Sequence, residues 1–179
     1  MKINYKDMRK ENIDISAPII PGESIGGIPL YSHIRDYRDL VNSFEYCEKK
    51  TGKDLSHSFF GTFEIAYEYK DIMTLVFSII NGKLLIIIAQ KGYNGLLFDK
   101  IRVGMNIKEA MKLEPRIYFD NVHEEYYLVK GEKGIMLETD PATGNIAVIM
   151  VNIKEMDEIE DDKGNASFEK SEEFNKGNW

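Results

Sequence analysis

Three histidines, His33, His57 and His123, are the residues best suited to ligating a metal or moving a proton, and they are scattered along the chain. None has a second ligand at metal spacing. There is no His-Glu-x-x-His, no Cys-x-x-Cys and no Asp-rich calcium loop, so each histidine fits a cap, loop or surface position and no metal is expected. The run Gly22-Glu23-Ser24-Ile25-Gly26-Gly27 is rich in glycine but lacks the Lys-Ser or Lys-Thr that reaches the phosphates in a P-loop, and it reads as a turn. Glu64 and Glu68 share one face of a strand, yet four residues at about 3.3 Å each put them roughly 13 Å apart. That exceeds even the spacing of about 6.5–9.5 Å used by inverting glycosidases. Glu124 and Glu125 are adjacent and point to opposite faces of a strand. No Gly-x-Ser-x-Gly elbow surrounds Ser24, Ser32 or Ser58, which leaves only a triad assembled from distant residues. The single cysteine, Cys47, excludes an internal disulfide and any multi-cysteine zinc site. Nothing in these patterns points to an enzyme, and no cofactor is expected.

What remains are residues suited to binding. Tyr67, Tyr69, Tyr118, Phe119, Tyr126 and Tyr127 fall on expected strands, where half or more belong to the core and the rest could anchor an interface. Tyr126 and Tyr127 face opposite ways, so at most one of them meets a partner. The formal charge is -7, and from Lys154 onward acids outnumber lysines nine to four, so this stretch carries five of the seven net negative charges. A phosphate backbone needs clustered Lys and Arg, which disfavours nucleic acid as a direct ligand. A basic protein is favoured instead, because opposite potentials speed encounter and set orientation. The expected contact residues are Glu64, Glu68, Tyr69, Asp71 and Glu124, with Asp157, Glu158, Asp161 and Asp162 of the tail. A plain solvated tail accounts for the same acids.

The elements that position these residues are legible from periodicity. Residues 1–24 read as an irregular arm broken by Pro18, Pro21 and Gly22. Ser32 is placed to cap a helix over His33 to Lys49, with Ile34, Tyr37, Val41 and Phe44 on one face. Phe63, Ile65, Tyr67 and Tyr69 alternate as in a half-buried strand, and Met73 to Ile80 forms its partner. Asn81-Gly82 suits a two-residue type I′ turn. Leu84 to Ala89 is apolar on both faces and belongs inside a sheet. Asn106 followed by Glu109 marks a second, short helix start that Pro115 stops. Further strands are expected near Ile117 to Asp120, Glu124 to Lys130, Gly134 to Thr139 and Asn145 to Ile153.

The second half thus repeats the layout of the first. Ile28 to Tyr37 matches Ile101 to Ala110 as an apolar alternation, a short turn and a helix start. Either a duplication or the commonness of helix-then-meander units explains this. The first half has Tyr31-Ser32 where the second has Gly104-Met105, which leaves open whether the two pack alike. The expected fold is α+β: antiparallel sheet with few helices, with two pseudo-repeated helix-plus-meander halves as one arrangement. The expected division is an arm at 1–24, a domain at 25–153 with halves 25–98 and 99–153, and an acidic tail at 154–179. At 179 residues and 43% apolar, such a chain buries a core without staples. Its start, Met1 to Asp7, lacks the features of a secretory signal, and no run of eighteen apolar residues exists. The expectation is a cytoplasmic protein that does not engage a membrane.

The runs Lys91-Gly92-Tyr93-Asn94-Gly95-Leu96-Leu97-Phe98, Ile101 to Ala110, Glu124-Glu125-Tyr126-Tyr127 and Lys133-Gly134-Ile135 resemble a family of small bacterial cytoplasmic proteins. That family includes immunity proteins of polymorphic toxin and contact-dependent growth inhibition systems. The resemblance implies a protein that binds and neutralises the toxic C-terminal nuclease domain, an RNase delivered by a neighbouring bacterium, by occluding its active site. It contains no catalytic motif and assigns no residue a role. A small-molecule or lipid-binding module on a curved sheet is the alternative reading.

Overall fold

The computed structural model describes residues 13–37, 57–61, 63–69, 71–121 and 126–157, the side chains of 57–61 excepted. The fold is α+β and antiparallel. A ribbon pairs β1 (Ser24–Ile25) with β2 (Ile28–Pro29). An eight-stranded sheet holds β3 (His57–Gly61), β4 (Glu64–Tyr69), β5 (Met73–Ser78), β6 (Leu84–Ala89), β7 (Ile117–Phe119), β8 (Tyr126–Val129), β9 (Ile135–Thr139) and β10 (Ile146–Asn152). Its spatial order is β3-β4-β5-β6-β10-β9-β8-β7, so two meanders meet along their last strands. The helix α1 (Ile107–Leu113) precedes the second meander. At the matching place in the first half stands a 3-10 turn, Ile34–Tyr37. The remainder of the helix expected to Lys49, with Cys47, lies outside the described residues, as does His123.

The capping, entry and loop bonds of the two halves correspond. Asn106 caps α1 by accepting the Lys108 N–H on Oδ1 at 3.1 Å, and it bridges Asn145. His33 accepts the Arg35 N–H on Nδ1 at 3.0 Å and bridges Lys83 in the same way. The first cap is therefore His33 and not Ser32, whose hydroxyl donates to the Pro29 carbonyl. Asp36 completes the turn by accepting the His33 N–H at 3.1 Å, a capping-box bond. Ile34 donates to the Gly82 carbonyl as Ile107 does to Gly144, and Tyr31 to Leu84 as Gly104 does to Ile146.

The loops agree as closely. Ser78 donates to Lys83 and Gly82 to Ser78; Asp140 donates to Asn145 and Gly144 to Asp140. The Ser78 hydroxyl and the Asp140 carboxylate each accept the N–H two residues on, from Ile80 and Ala142. Both hairpins then carry a bulge at one place, since Val76 pairs Ile86 and Phe77 pairs Leu84, while Glu138 pairs Val148 and Thr139 pairs Ile146. Asn81-Gly82 is consequently not a two-residue type I′ turn. That turn needs positive φ at both residues, and here only Gly82 has it, at 70°, as Gly144 does at 68°. Caps, loop bonds and bulge thus recur together at matching places in the two halves. Tyr31 stands at φ 63° where Gly104 stands at 86°. The first half keeps the turn at a cost of about 1–2 kcal/mol for a left-handed tyrosine. The Tyr31 hydroxyl offsets this by donating to Glu155 Oε2 at 2.6 Å.

Strand register decides which side chains share a face. Met73, Leu75, Phe77, Ile87, Ala89, Ile135, Leu137, Ile149 and Val151 fall on one face, here called inner, and all are buried. They belong to a single cluster with Ile25, Ile28, Leu30, Leu97, Ile101, Ile107 and Ala110. Strands β5 and β6 are buried on both faces, as the unbroken apolar run of β6 requires, and β5 buries Thr74 and Ser78 along with its apolar residues.

Tyr93 ties the N-terminal arm to this cluster. Its buried hydroxyl accepts the Gly26 N–H at 2.8 Å and donates to the Ala17 carbonyl at 2.7 Å. Burial pushes its pKa from the ordinary 10.0 up to about 12; the Gly26 bond opposes the shift and the Asp14 charge adds to it. Because the folded state holds the proton more tightly, the stability this tyrosine contributes is full below about pH 10 and is lost as pH rises towards about 12. Tyr93→Phe is expected to cost about 1–3 kcal/mol at neutral pH by orphaning the Gly26 donor. Urea melts at pH 7 and pH 11 check this, the gap between the two proteins being expected to narrow at the higher pH.

Candidate functional site

Among the described residues, the acids and tyrosine expected to meet a partner do not converge. Glu64 is only 5% exposed and pairs across from Ser78, so it does not present its carboxylate outward as the strand alternation suggested. The physical reason is that the face carrying Glu64 is covered here, with Ala66 beside it also buried. Glu68 is half-buried opposite Thr74, while Tyr69 lies on the inner face opposite Met73. Asp71 is exposed in the β4–β5 turn. Asp157 sits by the other end of the strands, where its carboxylate accepts the Gly134 N–H and the Asn152 Nδ2–H, the latter at 2.8 Å. It fastens the 3-10 turn Lys154–Asp157 to the start of β9. Glu124, Glu158, Asp161 and Asp162 lie outside the described residues.

Among the described residues, the densest charge cluster is also structural. Glu114, at the end of α1, accepts from Arg116 Nε at 2.9 Å and from Lys100 Nζ at 3.2 Å, and Arg116 reaches Glu132 at 2.6 Å. The guanidinium stacks 5.0 Å from the centre of the Phe98 ring. The bonds from Arg116, more than that from Lys100, hold the Glu114 carboxyl well below its ordinary 4.5, at about 2. Its contribution to stability is thus present above about pH 4.5 and lost as pH falls towards about 2. Every charge in this cluster has a partner, which suits holding α1 against β7 and leaves nothing for a ligand.

A different surface is partly open to solvent. On the outer face, opposite to the inner one, the first half closes over Ala66, Thr74, Val76, Ile86 and Ile88, all buried. Their counterparts in the second half are Tyr126, Met136, Glu138, Val148 and Met150. Tyr126, Met136, Val148 and Met150 are only half-buried there, and Glu138 is exposed. Tyr118, paired with Leu128 on edge strand β7, extends the surface at 46% exposed. Among the described strand residues of this face none is Lys or Arg. Tyrosine and methionine give it large, adaptable apolar contacts. Of the tyrosine pair, Tyr126 faces outward, while Tyr127 packs inward with its ring 5.1 Å from that of Phe119. The sequence carried this signal in the alternation of Met136 and Glu138 with Ile135 and Leu137, but charge alone drew attention elsewhere.

Among the described residues no group of three or more His, Cys, Asp or Glu is placed to hold a metal ion, and no helix is long and apolar enough to cross a membrane. No family model matches the chain, and no curated protein matches it. Among solved structures, a cysteine-rich secretory protein from Staphylococcus aureus is similar with a TM-score of 0.42 at 11% identity. The likeness covers 87% of this chain and 55% of that one, so this chain spans about half of that protein's length.

Proposed function

We propose that this chain is a cytoplasmic immunity protein that binds a cognate toxic nuclease domain, an RNase, and neutralises it by occluding the active site. The observation that carries the reading is the outer face of the second half: tyrosines, methionines and a carboxylate on a sheet, with no basic side chain among its described strand residues. Nuclease active sites are basic clefts shaped for phosphate. A surface of the opposite sign can seat over such a cleft, and the apolar bed supplies the burial that charge alone does not. The formal charge of -7 steers the encounter in the same sense.

The test is co-expression with the toxin domain encoded immediately upstream, followed by pull-down and an RNA-cleavage assay. The expected result is a complex that survives purification and a nuclease that falls silent. Failure to bind that domain at micromolar concentration ends the reading.

A further inference from the structure

The repeat of the two halves exposes one residue as out of place. Across the first meander, Ala66, Val76 and Ile86 form a row on the outer face, and each is buried. Across the second, the corresponding row is Tyr126, Glu138 and Val148. Glu138 thus stands where its counterpart Val76 is wholly excluded from solvent. The next row, Met136 and Met150, is apolar too. Among the described residues Glu138 makes no ion pair and no side-chain hydrogen bond, unlike Glu114, Glu132, Glu155 and Asp157.

An exposed carboxylate rising from a Tyr, Val and Met platform costs little while water reaches it. Covering the platform changes that, because a buried carboxylate without a compensating partner is strongly disfavoured. A partner that brings a positive group to this point closes over the face at the least cost, and one that offers the carboxylate nothing is disfavoured. Arginine answers the geometry best. Its planar fork can meet the carboxylate through two bonds while its face lies on the Tyr126 ring, directly across from Glu138 and about 5 Å away between Cβ atoms.

We infer that the outer face of β8, β9 and β10 is a docking surface for a basic protein segment, with Glu138 as the residue that selects it by binding an arginine over Tyr126, Met136 and Met150. This rests on the immunity reading only in naming the toxin domain as the source of that segment. Glu138 is then the specificity determinant, and the methionines are the adaptable bed beneath it.

Two measurements separate this inference from the reading it rests on. In the first, the upstream toxin domain is titrated into the wild-type chain, Glu138→Gln and Glu109→Gln, the last removing an exposed carboxylate from α1. Glu138→Gln is expected to weaken binding about tenfold or more, and Glu109→Gln less than about twofold. Equal affinity of wild type and Glu138→Gln overturns the inference and leaves the immunity reading standing. In the second, a hexa-arginine peptide is added at low salt and backbone amide shifts are followed by NMR. Shifts centred on Met136, Glu138, Val148 and Met150 that vanish in Glu138→Gln support the site even where the toxin domain fails to bind. Shifts centred elsewhere, or unchanged in the variant, overturn it.

Discussion

Gly134→Ala is expected to lower stability by about 2–5 kcal/mol, a large share of what a domain of this size possesses. Two costs add. Gly134 sits at φ 71°, where a side chain costs about 1–2 kcal/mol. A Cβ there also meets backbone on two sides, the Asn152 carbonyl and the Gly22 Cα at 2.6 Å. Backbone cannot rotate away as a side chain can, so overpacking adds about 1–3 kcal/mol. Relief by movement is blocked because Gly134 is bonded both ways: its carbonyl accepts the Gly22 N–H at 3.0 Å, and its own N–H donates to Asp157. Gly104→Ala is the control. It has positive φ, at 86°, but nothing within 4 Å of the new Cβ, so only the conformational cost of about 1–2 kcal/mol applies. Tyr31 demonstrates that the matching backbone accepts a side chain. Urea midpoints of the two variants check this; equal losses would mean that the junction of arm, β9 and β10 yields where the contacts say it cannot.

The strands were legible because alternation and unbroken apolar runs translate directly into one-sided or two-sided burial. Leu84 to Ala89 is the clearest case. Asn106 was legible as a cap because asparagine is an ordinary cap residue; His33 was not, because histidine rarely serves. The same holds for the repeat as a whole. His33 and Asn106, Asn81 and Thr143, Ser78 and Asp140, and Tyr31 and Gly104 perform equivalent bonds or backbone turns with different residue types. A repeat kept in backbone bonds leaves little identity in side chains, so it shows in the sequence only as layout. The candidate site was less legible still. Charge singles out acids, but whether an acid faces a partner depends on which face its register gives it and whether that face is covered. Glu64 is enclosed and Asp157 is engaged within the chain, whereas Glu138 is set apart by having no partner among the described residues and by comparison with its counterpart Val76.

Phe77→Ala is expected to cost about 3–5 kcal/mol. Phe77 is fully buried on the inner face, its ring 6.2 Å from that of Tyr37 and 6.1 Å, edge-on, from that of Tyr67. Removing it takes away both ring contacts and leaves a void, and β5 cannot collapse into the void because β4 and β6 hold it on either side. Its counterpart in the second half is Thr139, half-buried, where truncation to alanine is expected to cost about 1 kcal/mol. The first half therefore places at this position a large core side chain that the second half does without. Function is expected to divide the other way. The Phe77 ring lies on the inner face of the first meander, and the proposed docking surface lies on the outer face of the second. At temperatures where Phe77→Ala remains folded, its affinity for the toxin domain is expected to match the wild type. Denaturation melts beside a binding titration measure both, and a loss of affinity that accompanies an intact fold would show that the outer face depends on packing beneath the other half.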